Sequence, residues 1–279
     1  MKKYFYLFKI HHWIKNLIIF LPVLVGHSFF TINFFECIIY FLIISLLSSI
    51  IYFLNNINDY EEDIKNKKLS YSLNLNIKNT YYFLSIISFL VLITFSYFID
   101  QKIFVVCLFY FLLSISYNFY LKKKRYLDIF ILSLFHILRI IYGSLAFKVS
   151  LSVYFILFCS AIFLMIGSNK RLVEIDKAYT NRPYDENDRR KIQLMQLFFG
   201  FFAVLIFLLY TIDPTKNQFF IYKELLFVNL LIIILIIVNF LFIQKNKNQD
   251  IVVFIYQNKV NFILVSIFFI IFIGNSVSF

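Results

Sequence analysis

Long apolar runs recur along the whole chain, parted by short polar stretches in which most of the charge collects. Nine runs approach or exceed the ~20 residues needed to cross a bilayer as a helix. They fall at about 14–32, 34–55, 80–99, 102–120, 127–147, 151–168, 193–212, 224–243 and 260–278. A tight turn near Thr31 to Asn33 is all that parts the first two. The expected fold class is all-α: a polytopic transmembrane helical bundle of about nine spans. The polar connections at about 56–79, 121–126, 169–192 and 244–259 are too short for a separate soluble domain. Residues 1–279 therefore read as a single transmembrane domain.

Composition agrees with this pattern. The chain is 61% hydrophobic and 15% charged, with a mean hydropathy of +0.81. Soluble domains are roughly half apolar and a quarter charged. Five Gly and three Pro leave the spans mostly unbroken. Lys9, His11, His12 and Lys15 interrupt any signal-peptide core, so the N-terminus reads as an uncleaved lead-in. With that end in the cytosol, 22 of the 27 Lys and Arg fall on cytosolic segments. The positive-inside rule then places the chain in the cytoplasmic (inner) membrane, N-terminus cytosolic and C-terminus opposite. The net charge of +12 follows from topology and needs no nucleic acid. Cys37, Cys107 and Cys159 are too far apart for metal or redox spacing and read as small buried hydrophobes. His11, His12 and His27 show no ligand spacing and read as non-catalytic.

The chemistry collects beside the second run. Asn55, Asp59 and Asp63 are spaced by four residues. On a helix such steps turn about 40° past a full circle, so all three oxygen-bearing side chains share one face. Hard cations such as Mg²⁺ take ligands of this kind and share them with substrate phosphates. A solvated helix end is the plainer reading of the same residues. On the same side, the stretch after the sixth run begins Asn169-Lys170-Arg171-Leu-Val-Glu174. Acids and bases around one cavity suit a metal–diphosphate site, with Arg and Lys on the remaining oxygens. Arg139 stands near the middle of the fifth run, one turn after His136 and one before Gly143. An intramembrane Arg is a functional candidate by default. A structural partnership with Asp128 or Asp59 is its alternative.

These residues resemble the UbiA-type intramembrane prenyltransferase superfamily, whose signature Asn-Asp-x-x-Asp-x-x-x-Asp follows the second of nine helices. The match is Asn55-Asn56-Ile-Asn-Asp59-Tyr-Glu-Glu-Asp63, with Asn56 where the family usually has Asp. Further segments resemble one branch, the polyprenyl-phosphate (decaprenyl-phosphate) phosphoribosyltransferases. They are His12-Trp13-Ile-Lys15-Asn16, Tyr117-Asn-Phe-Tyr-Leu121-Lys122 with Asp128, Leu138-Arg139-x-x-x-Gly143, and Lys170-Arg171-Leu-Val-Glu174. Aromatic prenyltransferases of the superfamily usually carry a second Asp-rich motif where Lys170 and Arg171 stand here. The resemblance covers roughly residues 9–185.

The branch implies transfer of 5-phosphoribose from 5-phosphoribosyl 1-diphosphate to a polyprenyl phosphate, releasing diphosphate. The enzyme would be a Mg²⁺-dependent glycosyltransferase. Asn55, Asp59 and Asp63 would hold the metal, and Asp59, Asp63 and Lys170 would be catalytic. Lys15, Lys122, Arg139, Lys170, Arg171 and Glu174 would bind the substrates. Two other readings stand beside it. One is prenyl transfer from a prenyl diphosphate to an aromatic or other small acceptor. The other is a non-catalytic transporter or lipid-binding protein.

Overall fold

The structure is a computed structural model, describing residues 8–26, 32–60, 64, 78–176, 183–217, 220–243 and 259–275. A 3₁₀ helix over Ile10–Phe20 runs into α1 (Leu21–Val25). Next come α2 (Phe34–Asn58), α3 (Lys78–Ile99) and α4 (Gln101–Phe119). They are followed by α5 (Leu127–Ala146), α6 (Val153–Asp176), α7 (Arg189–Ile212), α8 (Glu224–Ile243) and α9 (Lys259–Gly274). Local chemistry starts two of them. The Asn33 side chain accepts the Phe35 N–H at 2.9 Å to cap α2, and Asp100 accepts the Lys102 N–H at 2.6 Å to cap α4.

Among the described residues, seven helices are long and apolar enough to cross a membrane, α2 through α8. The first and last expected spans differ. Ile10–Val25 and Lys259–Gly274 are apolar but shorter, and residues 27–31 and 276–279 lie outside the described residues. The outer surface is apolar, with Phe98 84%, Phe34 72% and Phe201 69% exposed. The interior holds buried polar side chains on α2, α4, α5 and α6. Water would not favour that arrangement and a bilayer does, so this is an integral membrane bundle.

Two large apolar cores stand out in the bundle. One joins the 3₁₀ segment and α1 to α5 through Ile19, Val23, Leu47, Cys107 and Tyr142. The other joins α6 to α9 through Met165, Ala203, Ile233 and Phe272. The stretch 169–176, expected as loop, instead continues α6 as helix. That difference decides which way its charged side chains face.

Candidate active site

A cavity of about 320 Å³ is walled by the 3₁₀ segment, α2, α4, α5 and α6. Asn55, Lys15, Arg139 and Lys170, all expected site residues, line it. α6 turns its Phe163, Ile166, Gly167 and Lys170 to this wall, a spacing of three, one and three residues that marks one helical face. The wall carries four cationic side chains on three elements, Lys9 and Lys15, Arg139, and Lys170. No carboxylate stands among its described lining residues.

Arg139 is 3% exposed. Its Nε donates to the Asn16 Oδ1 at 2.9 Å and its guanidinium to the Phe135 carbonyl at 3.3 Å. It lies 5.3 Å from the Tyr110 ring centre and 3.5 Å from the His136 Nδ1. Among the described residues it meets no carboxylate, so the structural pairing with Asp128 or Asp59 is not made. Asn16 is held in turn by α2. Its Nδ2 donates to Ser45 at 3.0 Å, the Ser48 hydroxyl donates to its Oδ1 at 3.4 Å, and Trp13 donates to Ser49 at 2.8 Å. Asn16 thereby points its oxygen at the guanidinium and keeps the fork aimed along the wall.

The remaining expected residues lie elsewhere. Asp59 ends α2 at 6% exposure, its carboxylate ion-paired with the Lys122 Nζ. Neither lines the cavity, although Asp59 follows Asn55 by one helical turn. Asp63 lies outside the described residues.

Arg171 and Glu174, expected to bind substrate, do not line the cavity. Arg171 is 0% exposed, with its Nε 2.6 Å from Asp128 and NH1 bound to Glu174. NH2 donates to the Tyr117 hydroxyl at 3.2 Å. One helical step of about 100° separates Lys170 on the cavity face from Arg171 on the packed face. Asp128 also accepts from the Tyr184 hydroxyl, which takes the Tyr126 N–H at 2.8 Å. This knot fastens the segment before α7 to the start of α5. Burial, and then the Asp128 charge, push the Tyr184 phenol well above its ordinary range.

Sequence reasoning passed over Lys9, His12, Asn16, His136 and Tyr117 as site residues. The serines Ser45, Ser48 and Ser49 gave a usable signal: a polar stripe at helical spacing inside an apolar span marks a face that meets polar groups.

No protein-family model matches the chain. An uncharacterized protein of Sinorhizobium fredii, y4nM, is 27% identical over 185 residues, 62% of this chain and 34% of that protein. The chain thus spans about a third of the length of the curated relative it matches. Among solved structures, a UbiA homolog from Archaeoglobus fulgidus bound to Cd²⁺ matches with a TM-score of 0.68 at 13% identity, over 98% of each chain. The same homolog bound to GPP and Mg²⁺ gives 0.69 at 14%, again over 98% of each chain. A digeranylgeranylglyceryl phosphate synthase gives 0.64 at 18%, over 100% of this chain and 99% of that one. At these identities the likeness is one of fold, and the fold is UbiA-like.

Proposed function

We propose that this UbiA-like bundle is a polyprenyl-phosphate phosphoribosyltransferase of the cytoplasmic membrane, with its N-terminus and the cavity mouth on the cytosolic side. It would move 5-phosphoribose from 5-phosphoribosyl 1-diphosphate to a polyprenyl phosphate and release diphosphate. The observation that carries this reading is the cavity wall. Four cations spread over three elements, with no carboxylate among the described lining residues, suit more negative charge than one diphosphate brings. Both substrates of the proposed reaction are phosphorylated, and the donor carries phosphate at two places.

The residues present fit a divalent metal by their chemistry. Asn55 offers an amide oxygen on the wall and Asp59 a carboxylate one turn on, where the helix terminus adds partial negative charge. Asp63 follows at the same four-residue spacing in the sequence. Oxygen-only donors suit Mg²⁺, which when bound would neutralise charge on a departing diphosphate. Lys122 holds the Asp59 carboxylate in place through their ion pair. Arg139 presents a planar fork to phosphate oxygens, and Lys15 and Lys170 supply point charges. The acceptor phosphate has a second pKa of about 6, so it is already a competent nucleophile near neutral pH. No strong general base is needed. The task left to the protein is to hold two polyanions in line while positive charge develops at the ribose C1.

A second reading has support in the fold. The A. fulgidus homolog binds GPP with Mg²⁺, which suits transfer of a prenyl group to a small acceptor. That reaction brings one diphosphate and leaves part of the cationic wall without a role. Label transfer from 5-phosphoribosyl diphosphate to a short polyprenyl phosphate separates the two readings. Purified protein should label the lipid phase with Mg²⁺ and not with EDTA, and Asp59→Asn, still folded and inserted, should abolish the signal. Folded wild type that labels lipid only from prenyl diphosphate donors would establish the second reading instead.

A further inference from the structure

The 3₁₀ winding of Ile10–Phe20 sorts its side chains into three columns. A 3₁₀ helix repeats every three residues, so side chains three apart eclipse. On an α-helix the same spacing slips about 60° at each step. Lys9, at the N-cap, and then His12 and Lys15 face the cavity. Asn16 and Ile19, 1% and 0% exposed, form a second column with Trp13. Ile14 and Leu17, both 50% exposed, form the third.

Runs of 3₁₀ helix beyond three or four residues are uncommon. This one is 11 residues long and is pinned along its second column. Trp13 and Asn16 are hydrogen-bonded to serines of α2. The Ile19 backbone sits against Gly143, where a Cβ would stand 1.9 Å from the Ile19 carbonyl oxygen. The packed column therefore holds the winding that keeps the cavity column in line.

We propose that Lys9 and His12, with Lys15, form a phosphate-binding rail for a phosphate monoester held beside the diphosphate. At about 2 Å of rise per residue, six residues from Lys9 to Lys15 cover about 12 Å. A single diphosphate is far shorter than this reach. The rail instead matches anionic groups at two separate places, which is how the proposed substrates carry their charge. This inference rests on the phosphoribosyl reading. The monoester is either the 5-phosphate of the sugar donor or the headgroup of the lipid acceptor.

Calorimetric titration of the full chain in detergent decides the matter, with ribose 5-phosphate, a short polyprenyl phosphate and Mg²⁺-diphosphate as probes. Lys9→Gln and His12→Leu should each weaken one monoester about tenfold, as loss of a charge-assisted hydrogen bond would. Mg²⁺-diphosphate affinity should fall by less than the monoester affinity, and Ile14→Ala, in the outward column, should change none of the three. Loss confined to ribose 5-phosphate assigns the rail to the donor, and loss confined to polyprenyl phosphate assigns it to the acceptor. Wild-type affinity for both monoesters in both variants would overturn the rail while leaving the phosphoribosyl reading intact. Wild type that binds diphosphate but neither monoester would remove that reading and the rail together.

Discussion

Arg139 and Arg171 are both buried guanidinium groups, and their surroundings give them opposite roles. Arg171 meets Asp128 and Glu174, so its charge is compensated inside the protein. Replacing it with Met strands two carboxylates, a change that costs about 3–5 kcal/mol in comparable buried pairs. Arg171→Met should therefore show as lost folded protein in detergent melts, with the affinity of the surviving fraction unaltered. Arg139 is held by the Asn16 oxygen, a carbonyl and a ring, leaving net positive charge at the cavity wall. An incoming phosphate gains what the fold withheld. Arg139→Ala should lower kcat/KM by about 10²-fold, the scale of removing one preorganised donor to developing charge. Arg139→Lys should recover only part, because a point charge cannot replace the fork. Asn16→Ala should lose less, through misaim alone. Impaired insertion with unchanged specific activity would instead make Arg139 structural. Its depth in an apolar run made it visible in the sequence. The division between Lys170 and Arg171 was not visible there, because it depends on helix continuing through a stretch that composition marks as loop.

At the scale of elements, close contacts set the aim of the site. Gly143 lets α5 approach the 3₁₀ segment, and Gly143→Ala puts a methyl group into the Ile19 backbone. Overpacking of this kind costs about 1–3 kcal/mol. The variant should melt lower and bind diphosphate more weakly, because Asn16 moves with the segment. Gly274→Ala meets nothing within 4 Å and should match wild type on both measurements. The Tyr184 knot makes a different prediction, in pH. Its phenol is raised in the folded state by burial and by Asp128. A raised folded-state pKa means stability is fully present below the ordinary tyrosine range near 10 and is lost as pH climbs above it. Between pH ~8 and ~11 the wild-type melting temperature should fall more steeply than that of Tyr184→Phe, which has no proton to lose. Parallel curves would remove Tyr184 from the stability of the fold. Tyr126, whose N–H the Tyr184 hydroxyl accepts, stands at φ 63, a left-handed backbone position that such a bond helps to hold.

For the whole molecule, the cavity lies where the 3₁₀ segment, α2, α4, α5 and α6 meet. On the proposed topology, its basic wall and the charge asymmetry of the loops face the cytosol. Reporter fusions should therefore read cytosolic at the N-terminus and at the connection between α6 and α7, and opposite at the C-terminus. A cytosolic C-terminus would overturn this topology. The sequence by itself determined the helical membrane class, because bilayer thickness demands long apolar runs whatever their neighbours are. It also determined the four-residue spacing of Asn55, Asp59 and Asp63 and the intramembrane position of Arg139, which are local or one-dimensional facts. Tertiary structure alone decided which charges neutralise one another and which face the cavity. Lys122 went to Asp59, and Arg171 to Asp128 and Glu174, while Lys9 and His12 joined the wall. Those outcomes rest on helix rotation and on contacts between residues far apart in the chain. A shift of 100° exchanges a buried ion pair for a ligand-facing charge without changing one residue of the pattern.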